Sequence, residues 1–526
     1  MTRRASLPSD RPTRPPAPRP AAPAEGSRQP GQPGQFSNPV LDGGPKADHG
    51  DPYVLEHLGE YYLFHSGPRG IDAYRSDDLV RWEWAGTVLT GAGEGHWAQV
   101  ELWAPEVVYQ DGRFVMYVAA TSPGVGRASA GKAHGADGGD DMLRRQGVAR
   151  APGPLGPYVW DDEPLVAEWS IDAHPFTDDD GSRWLFYNVR NDDTRHADGA
   201  LGCGNVVDRV GPDGRLLGRP VQVAYPSQDW EAGPGGEQYW NEAPFTLKRR
   251  GRYYQMYSGG FFGGDGYAVG VSVADELTGP WEKTSSQPVF VSGEISGPGH
   301  HCVTVAPDGV TPYAVYHGYV ADGFGRKVHL DRLWWAGDGP QVGRGRRRPT
   351  SATLDRQPVP PSAVHDPAVE AFALRAWVRG EHVDVDGLRV GLGGHHEHLL
   401  EVDSDGSTMT VRVDDALVAT RRGPARPGLA GAEVLRSTVH SHLDDDGEHV
   451  LGTPARRSWA WGGSGPVECS VAVAGRARVQ LGEQVVDVDG VGFELVTLRS
   501  GTGAEALHVV GLDGGARVAD VVLDAR

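Results

Sequence analysis

The chain has 526 residues and a formal net charge of −20, and it contains 75 glycines, 15 tryptophans and 3 cysteines. This length is enough for at least two domains, and the strong negative charge argues against binding to a nucleic-acid backbone. Cys203, Cys302 and Cys469 lie far apart, which argues against a disulfide framework or a zinc knuckle and favours reduced thiols in a cytoplasm.

Residues 1–35 are rich in proline, arginine, alanine and glycine, and we expect them to form a disordered tail. They contain no apolar segment of the kind found in secretory signals, so the sequence predicts a cytoplasmic location. It also has no run of about 18 apolar residues, and we therefore expect no contact with a membrane.

One pattern then occurs five times: an apolar segment, a turn that contains glycine, and an aromatic-rich return strand. Each copy is typical of a β-hairpin, and a long repeat without helical periodicity indicates propeller blades. The sequence therefore predicts an all-β protein with a five-bladed β-propeller over residues 36–345. The copies are DPYVLEHLGEYYLFHS from Asp51, APEVVYQDGRFVMYVAA from Ala104, DAHPFTDDDGSRWLFYN from Asp172, EAPFTLKRRGRYYQMYS from Glu242 and HHCVTVAPDGVTPYAVYHG from His300.

The turn glycines of the copies allow the hairpins to be aligned; they are Gly59, Gly112, Gly181, Gly251 and Gly309. Eight residues before the first glycine, and nine before each of the others, stand Asp51, Trp103, Asp172, Glu242 and His300. If the hairpins are equivalent, these side chains lie at the same place in every blade. This alignment predicts three carboxylates, an imidazole and an indole around one central well.

The segments between and after the hairpins have different expected roles. Residues 122–141 form a Gly/Ala/Asp-rich insertion and are expected to be a surface loop, and residues 225–238 are expected to line the mouth of the well. The strand-like segment 325–335 is expected to close the ring against the first blade.

After the propeller, residues 346–363 are basic and proline-rich and are expected to be a linker. Residues 364–526 again show short alternating strands, which predict a separate β-sandwich-like domain. The simplest role for this domain is to pack against the propeller and stabilise it. A sugar-binding module or an oligomer contact remains an alternative.

The predicted ring has the groups that glycoside hydrolysis requires. One carboxylic acid protonates the leaving oxygen, while a second carboxylate activates water or attacks the anomeric carbon. A third carboxylate nearby raises the pKa of the acid by like-charge repulsion. Any one of these acids could be an ordinary turn residue, but three at matching repeat positions weaken that interpretation. Glu106, one strand position beyond a proline, competes for the role of the acid.

His300 follows Gly-Pro-Gly and is a candidate metal ligand at the propeller axis. His301 is adjacent, so its side chain is expected on the opposite face of the strand. One histidine with water molecules would hold Ca²⁺ weakly, and a hydrogen-bonded core histidine is the alternative.

Five motifs, HGDPYV, LWAPEV, IDAHPFTDDDG, NEAPF and SGPGHH, together resemble glycoside hydrolase family 43 over roughly residues 36–345. The resemblance implies a five-bladed propeller of inverting arabinofuranosidases, xylosidases or arabinanases. It implies Asp51 as general base, Asp172 as the group that modulates the pKa of the acid, and Glu242 as general acid. It further implies sugar contacts by Trp103 and Arg326 and a calcium ion beside His300, and we expect His49, within HGDPYV, to contact substrate.

The sequence thus predicts an inverting glycosidase that releases terminal L-arabinofuranose or D-xylose from short hemicellulose-derived oligosaccharides, without an organic cofactor. The oligomeric state stays open. The alternatives are a non-catalytic sugar-binding propeller, or a related five-bladed glycosidase or phosphorylase with another sugar specificity. The Trp-Met-Asn-Asp-Pro-Asn-Gly, Arg-Asp-Pro and Glu-Cys motifs of the retaining invertase and levansucrase families are absent.

Overall fold

The computed structural model describes residues 34–123, 143–236, 238–320, 325–337, 339–343, 357–445, 449–451, 456–461, 466–501, 506–512 and 516–525. Within these ranges the only helices are three single 3₁₀ turns, Asp192–Thr194, Asp229–Glu231 and Pro234–Gly236. The predicted all-β class is confirmed. Across the same ranges, no helix has the length and apolarity required to cross a membrane. The predicted surface loop at 122–141 lies almost entirely outside the described residues.

The first two-thirds of the chain contains strands of two to twelve residues. They are β1 (Gln35–Phe36), β2 (Tyr53–His57), β3 (Glu60–His65), β4 (Gly70–Ser76), β5 (Glu83–Thr90), β6 (Val100–Gln110), β7 (Arg113–Thr121), β8 (Arg145–Ala151), β9 (Val159–Trp160), β10 (Ser170–Thr177), β11 (Arg183–Val189), β12 (Leu201–Arg209), β13 (Val221–Ala224), β14 (Gln238–Arg249), β15 (Arg252–Gly259), β16 (Ala268–Ala274), β17 (Glu282–Lys283), β18 (Ser296–Val305), β19 (Pro312–Tyr319), β20 (Lys327–Ala336) and β21 (Gly339–Val342).

Strands β2 to β21 pair in chain order as antiparallel groups of four: β2–β5 (sheet I), β6–β9 (sheet II), β10–β13 (sheet III), β14–β17 (sheet IV) and β18–β21 (sheet V). Sheets III and IV are also joined by a short parallel pairing of β12 with β14. Each group begins with one of the predicted hairpins, and the five turn glycines have φ values of 77°, 77°, 77°, 75° and 80°. Glycine adopts this left-handed conformation at little cost, which explains why the turns occur there.

Neighbouring sheets bury apolar side chains between them. Phe64 of sheet I and Met116 of sheet II belong to one core cluster, and Met256 of sheet IV and Tyr316 of sheet V belong to another. A third cluster joins sheet I to sheet V through Leu63, Val315 and Leu330. The first and last of the five sheets are therefore packed against each other.

Strand β20 also contacts the segment that precedes sheet I. Leu41 and Val328 form an isolated antiparallel bridge, and the side-chain amide of Asn38 donates to the carbonyl of Leu330 at 3.0 Å. The predicted closing strand at 325–335 thus pairs with residues 38–41. Strand β1 pairs with Gln357–Pro358, so the last residue of the predicted tail is ordered against the predicted linker.

The remaining strands are β22 (Gln357–Pro358), β23 (Ala371–Arg379), β24 (His382–Val385), β25 (Leu388–Gly391), β26 (Glu397–Asp405), β27 (Thr408–Val413), β28 (Ala416–Arg422), β29 (Leu429–Ala430), β30 (Glu433–Asp445), β31 (His449–Leu451), β32 (Arg456–Ala460), β33 (Val467–Leu481), β34 (Gln484–Ser500), β35 (Ala506–Gly511) and β36 (Ala516–Ala525). Strands β24, β25 and β29 form a three-stranded sheet. From β23 onward, the others form an eleven-stranded sheet, hereafter the C-terminal sheet.

The C-terminal sheet contacts the hairpins of the first five sheets through charged side chains. The guanidinium of Arg375 on β23 lies 3.1 Å from the carboxylate of Glu56 on β2, and Arg249 on β14 lies 3.3 Å from Asp520 on β36. The indole N–H of Trp377 also donates to Glu56 at 3.3 Å. The C-terminal region therefore packs against the strands of the five sheets, where it was expected to pack.

Candidate active site

A β-bulge near the start of the inner strand positions the candidate catalytic groups. On β6, β10, β14 and β18, the strand register shifts at this place. In all five sheets one non-glycine residue here has a left-handed backbone, with φ between 45° and 59°: Asp51, Ala104, Asp172, Ala243 and His300. Bulges redirect side chains and are frequent beside active sites.

This geometry corrects the alignment that the turn glycines suggested. Asp51, Asp172 and His300 share the left-handed position, but Trp103 and Glu242 stand one residue before it. The reason is that the hairpins of sheets II and IV are one residue shorter between bulge and turn than those of sheets III and V. Glu242 therefore belongs to the ring at a different strand position from Asp172.

Polar residues at the end of the second strand of a hairpin support the bulge of the next sheet. Ser66 of sheet I accepts the backbone N–H of Ala104 at 2.8 Å, and Ser258 of sheet IV accepts that of His300 at 2.9 Å. Asn188 of sheet III donates to the carbonyl of Asn241, beside Glu242, at 2.6 Å. From sheet V, Nδ1 of His317 accepts the backbone N–H of Asp51 at 3.1 Å.

Asp51 has polar partners on both carboxylate oxygens. Its Oδ2 accepts a hydrogen bond from the hydroxyl of Ser66, and its Oδ1 accepts one from Nη1 of Arg326 at 2.9 Å. Nδ1 of His300 lies 3.1 Å from the same Oδ1. Burial alone would raise the pKa of Asp51, but the charges of Arg326 and His300 outweigh it and hold that pKa well below its usual value. Asp51 is therefore a carboxylate at neutral pH.

Glu242 has the opposite electrostatic environment. Burial, followed by the nearby charge of Asp172, raises the pKa of Glu242 far above that of an ordinary glutamic acid. The hydroxyl of Tyr267 donates to Oε1 of Glu242 at 2.8 Å. Burial also raises the pKa of Asp172, whose Oδ2 accepts the backbone N–H of Ala243 at 3.0 Å. Two carboxyl groups with pKa values displaced in opposite directions are what an acid and base pair requires.

His300, the candidate metal ligand, is largely buried and interacts with two carboxylates. Burial lowers its pKa, but Asp51 and Asp172 outweigh burial and raise the pKa of His300 to about 9. With no metal ion bound, the ring is then an imidazolium at neutral pH and pairs with Asp51. Among the described residues, His300 also belongs to no group of three close His, Cys, Asp or Glu donors. A calcium ion beside His300 stays a prediction.

The three predicted substrate contacts have different environments in the structure. Arg326 lies in the well, but it pairs with Asp51 and Asp48, not with Asp172. Trp103 is half-buried, and the guanidinium of Arg144 covers its ring at 3.6 Å. His49 is completely buried against Tyr74 and has a packing position, because a buried imidazole offers no surface to a sugar.

Glu106, the competitor for the acid role, is held by a histidine. Its Oε2 lies 2.8 Å from Nδ1 of His174, and Nε2 of that ring accepts the backbone N–H of Thr246 at 3.0 Å. Glu106 therefore joins sheets II, III and IV through one buried network. This use of its carboxylate favours Glu242 as the acid.

Four residues that the structure brings to the site were not predicted from the sequence. Ser66, His317 and Tyr267 are buried, and Asp48 pairs with Arg326 at 2.7 Å. A signal for two of them was present, because Ser66 and His317 stand at the ends of the second strands of the first and fifth hairpins. Tyr267 and Asp48 lie outside the hairpin repeat, and nothing in their local sequence marks them.

Comparison with known proteins decides the family. A family model for glycosyl hydrolases family 43 matches residues 36–340. The chain belongs to glycosyl hydrolase family 43. This family 43 member is therefore a glycosidase, and the resemblance that the five motifs suggested is confirmed.

Three similar proteins illustrate the range of family 43. An exo-α-(1→5)-L-arabinofuranosidase of Streptomyces chartreusis, named extracellular, is 28% identical over 309 residues, which cover 54% of this chain and 83% of the relative. The β-D-galactofuranosidase xynD of Aspergillus niger is 28% identical over 313 residues, 54% of this chain and 77% of that one. A crystal structure of a thermostable family-43 glycoside hydrolase has 33% identity and a TM-score of 0.52, and the match covers 62% of this chain and 99% of that one.

The predicted cytoplasmic location is wrong for this family 43 chain. Similar arabinofuranosidases, including that of Streptomyces chartreusis, are named extracellular, which points to secretion. The prediction relied on the cysteines and on the composition of the first residues. The three cysteines are buried and unpaired, and separate buried thiols are compatible with either redox environment.

Proposed function

We propose that the chain is an inverting, exo-acting glycosidase that releases terminal L-arabinofuranose or D-xylose from short hemicellulose-derived oligosaccharides. The observation that carries this proposal is the opposite displacement of two pKa values in one well, lowered for Asp51 and raised for Glu242. The names of similar family 43 proteins support a terminal pentofuranose as the sugar.

In the proposed mechanism, Asp51 is the general base and Glu242 the general acid. Asp51 is ionised, so it can accept a proton from the attacking water, while the raised pKa of Glu242 keeps a proton available for the leaving oxygen. Asp172 maintains that proton through like-charge repulsion. Inversion requires room for water between the acid and the base, about 6.5–9.5 Å between carboxyl groups, against about 5–5.5 Å for retention.

Charges around the two carboxyl groups would assist each proton transfer. Arg326 and the His300 imidazolium keep Asp51 ionised in a buried well where a lone carboxylate would be protonated. The hydroxyl of Tyr267 fixes the orientation of Glu242. Trp103 and Arg326 are the proposed sugar contacts, because both are only partly buried; Trp103 lies on β6 and Arg326 directly precedes β20.

We also propose that sheets I–V are the blades of one five-bladed propeller spanning residues 36–345. The packing of sheet I against sheet V, together with the hydrogen bond from Asp51 to His317, supports a closed ring. Residues 346–363 would link this propeller to a β-sandwich-like domain at 364–526, with residues 1–35 as a tail. Expressing residues 34–345 alone would test this division, because an independent propeller should still unfold cooperatively.

The decisive experiment follows the first-formed sugar by proton NMR. The purified chain is mixed with short arabino- and xylo-oligosaccharides and with p-nitrophenyl α-L-arabinofuranoside, β-D-xyloside and β-D-galactofuranoside. We expect turnover of a pentoside and a product of inverted anomeric configuration. A product with the configuration of the substrate would refute the mechanism, and binding without turnover would indicate a sugar-binding propeller instead.

A further inference from the structure

A second cluster of chemically reactive side chains lies on the C-terminal sheet. His396 precedes β26, His398 lies on it, and Asp414 occupies the turn after β27. One ring nitrogen from each histidine and one carboxylate oxygen of Asp414 lie within 4.8 Å of one another. The two imidazole rings are 4.2 Å apart between centroids, and Nδ1 of His398 is 2.7 Å from Oδ2 of Asp414.

The backbone holds these donors in place before any ligand is present. Asp414 adopts a left-handed conformation with φ of 49°, and its Oδ1 accepts the backbone N–H of Leu399 at 2.9 Å. That hydrogen bond directs the second oxygen of Asp414 toward His398. A ligating carboxylate that is itself hydrogen-bonded is typical of metal sites, because such partners orient the ligand.

The surroundings of the cluster are polar and accessible. His396 and Asp414 line a cavity of about 460 Å³ between the C-terminal sheet and the hairpins of sheets I to V, together with Asp111 and Glu397. This cavity provides an entry path and room for water. His398 is almost completely buried, and Nδ1 is the ring nitrogen that faces Asp414.

We propose that His396, His398 and Asp414 bind one divalent ion of the zinc class, with water completing its coordination. Two imidazoles and one carboxylate form a mixed nitrogen and oxygen set, which suits Zn²⁺, whereas Ca²⁺ prefers oxygen ligands alone. His396 packs on the turn of sheet II, since a Cβ added to Gly112 would come within 3.0 Å of it. The ion therefore holds His396 in its contact with the turn of sheet II. It contributes to stability and not to the reaction.

The test measures Zn²⁺ binding to the full-length chain after the purified protein has been treated with a chelator and dialysed. Isothermal titration calorimetry should give one tight site, and the melting temperature should rise when Zn²⁺ is added, because a ligand of the folded state stabilises it. Co²⁺ serves as a spectroscopic probe, since its visible absorption reports the number and geometry of the ligands. Ca²⁺ should give neither signal at this site.

Two variants and one control assign the donors. His396→Ala and Asp414→Asn should each weaken Zn²⁺ binding at least about 10-fold, and the amide oxygen introduced by Asp414→Asn would still accept the N–H of Leu399. The control is His395→Ala, which removes an exposed neighbouring histidine and should leave the affinity unchanged. Melting temperatures in metal-free buffer confirm that each variant folds. The proposal fails if wild-type protein binds Zn²⁺ no more tightly than His396→Ala, or if His395→Ala weakens binding as much.

Discussion

At the scale of single residues, the site depends on keeping one carboxyl group charged and another neutral. Asp51 is surrounded by Arg326, His300 and a hydroxyl donor, whereas Glu242 has a phenol and the charge of Asp172. Burial acts on both acids in the same direction, so the difference between them comes from their neighbours. The neighbours are consequently as important to the chemistry as the acids themselves.

Glu242→Gln should reduce kcat/KM on oligosaccharides by about 10²–10⁴-fold, because the leaving oxygen loses its proton donor. The loss should be much smaller on aryl glycosides whose leaving groups need little protonation. Asp51→Asn should lose activity on both substrate types alike. Initial rates on a series of aryl glycosides, whose phenol leaving groups differ in acidity, measure these losses. Equal losses for Glu242→Gln across the series would show that Glu242 is not the general acid.

The pH dependence of kcat/KM should be bell-shaped, with an alkaline limb at a higher pH than an ordinary glutamic acid would give. Burial and the charge of Asp172 raise the pKa of Glu242 to about 8, so activity should fall as pH rises through that region and the acid loses its proton. The acidic limb should lie at low pH, since Asp51 stays ionised well below its usual pKa. In Asp172→Asn the repulsion disappears, so the alkaline limb should move to lower pH. If the alkaline limb does not move in this variant, Asp172 does not raise the pKa of Glu242.

At the scale of secondary-structure elements, the local features were predictable from the sequence. Each hairpin turn is marked by a glycine and flanking strands of apolar and aromatic residues, and all five glycines have the expected positive φ. The register of the bulges was not predictable, because it depends on how many residues separate the bulge from the turn. That length differs by one residue between sheets III and IV, which is enough to place Glu242 one position away from Asp172 in the repeat.

Ser66→Ala should impair catalysis more than folding. Ser66 donates to Asp51 and accepts the backbone N–H of Ala104, so its loss frees the base and the bulge of sheet II together. We expect kcat to fall by about 10–100-fold, since small displacements of catalytic groups have effects of this size. The matched control is Ser76→Ala, whose hydroxyl accepts the backbone N–H of Leu79 in a turn of sheet I. That control should lower the melting temperature but leave kcat unchanged.

At the scale of the whole molecule, two large β-structures meet through buried charges. Arg375 lies beneath the hairpin of sheet I, where Glu56 is its partner and the indole of Trp377 donates to the same carboxylate. Such a contact was not predictable from the sequence, because the partners are more than 300 residues apart and neither stands in a recognisable motif. The sequence indicated only that the C-terminal strands would pack somewhere on the propeller.

Arg375→Met and Glu56→Gln, each made alone, should destabilise the chain strongly. Removing one member of a buried ion pair leaves the other uncompensated, which typically costs about 3–5 kcal/mol. The double variant Arg375→Met, Glu56→Gln removes both charges and should recover part of that loss. Thermal unfolding of the wild type, both single variants and the double variant measures the coupling. Additive losses would show that the ion pair contributes nothing to the contact.

The placement of Asp51 has a consequence for how the enzyme is made. Its backbone N–H is held by His317 and its carboxylate by Arg326, residues that the ribosome adds some 270 positions later. A nascent chain can therefore complete sheets I to IV and still possess no working base. Catalytic competence appears only when the last sheet meets the first, so activity would report that event during synthesis. A truncated translation product that ends before residue 317 should therefore be inactive, which an activity assay of the truncated chain measures.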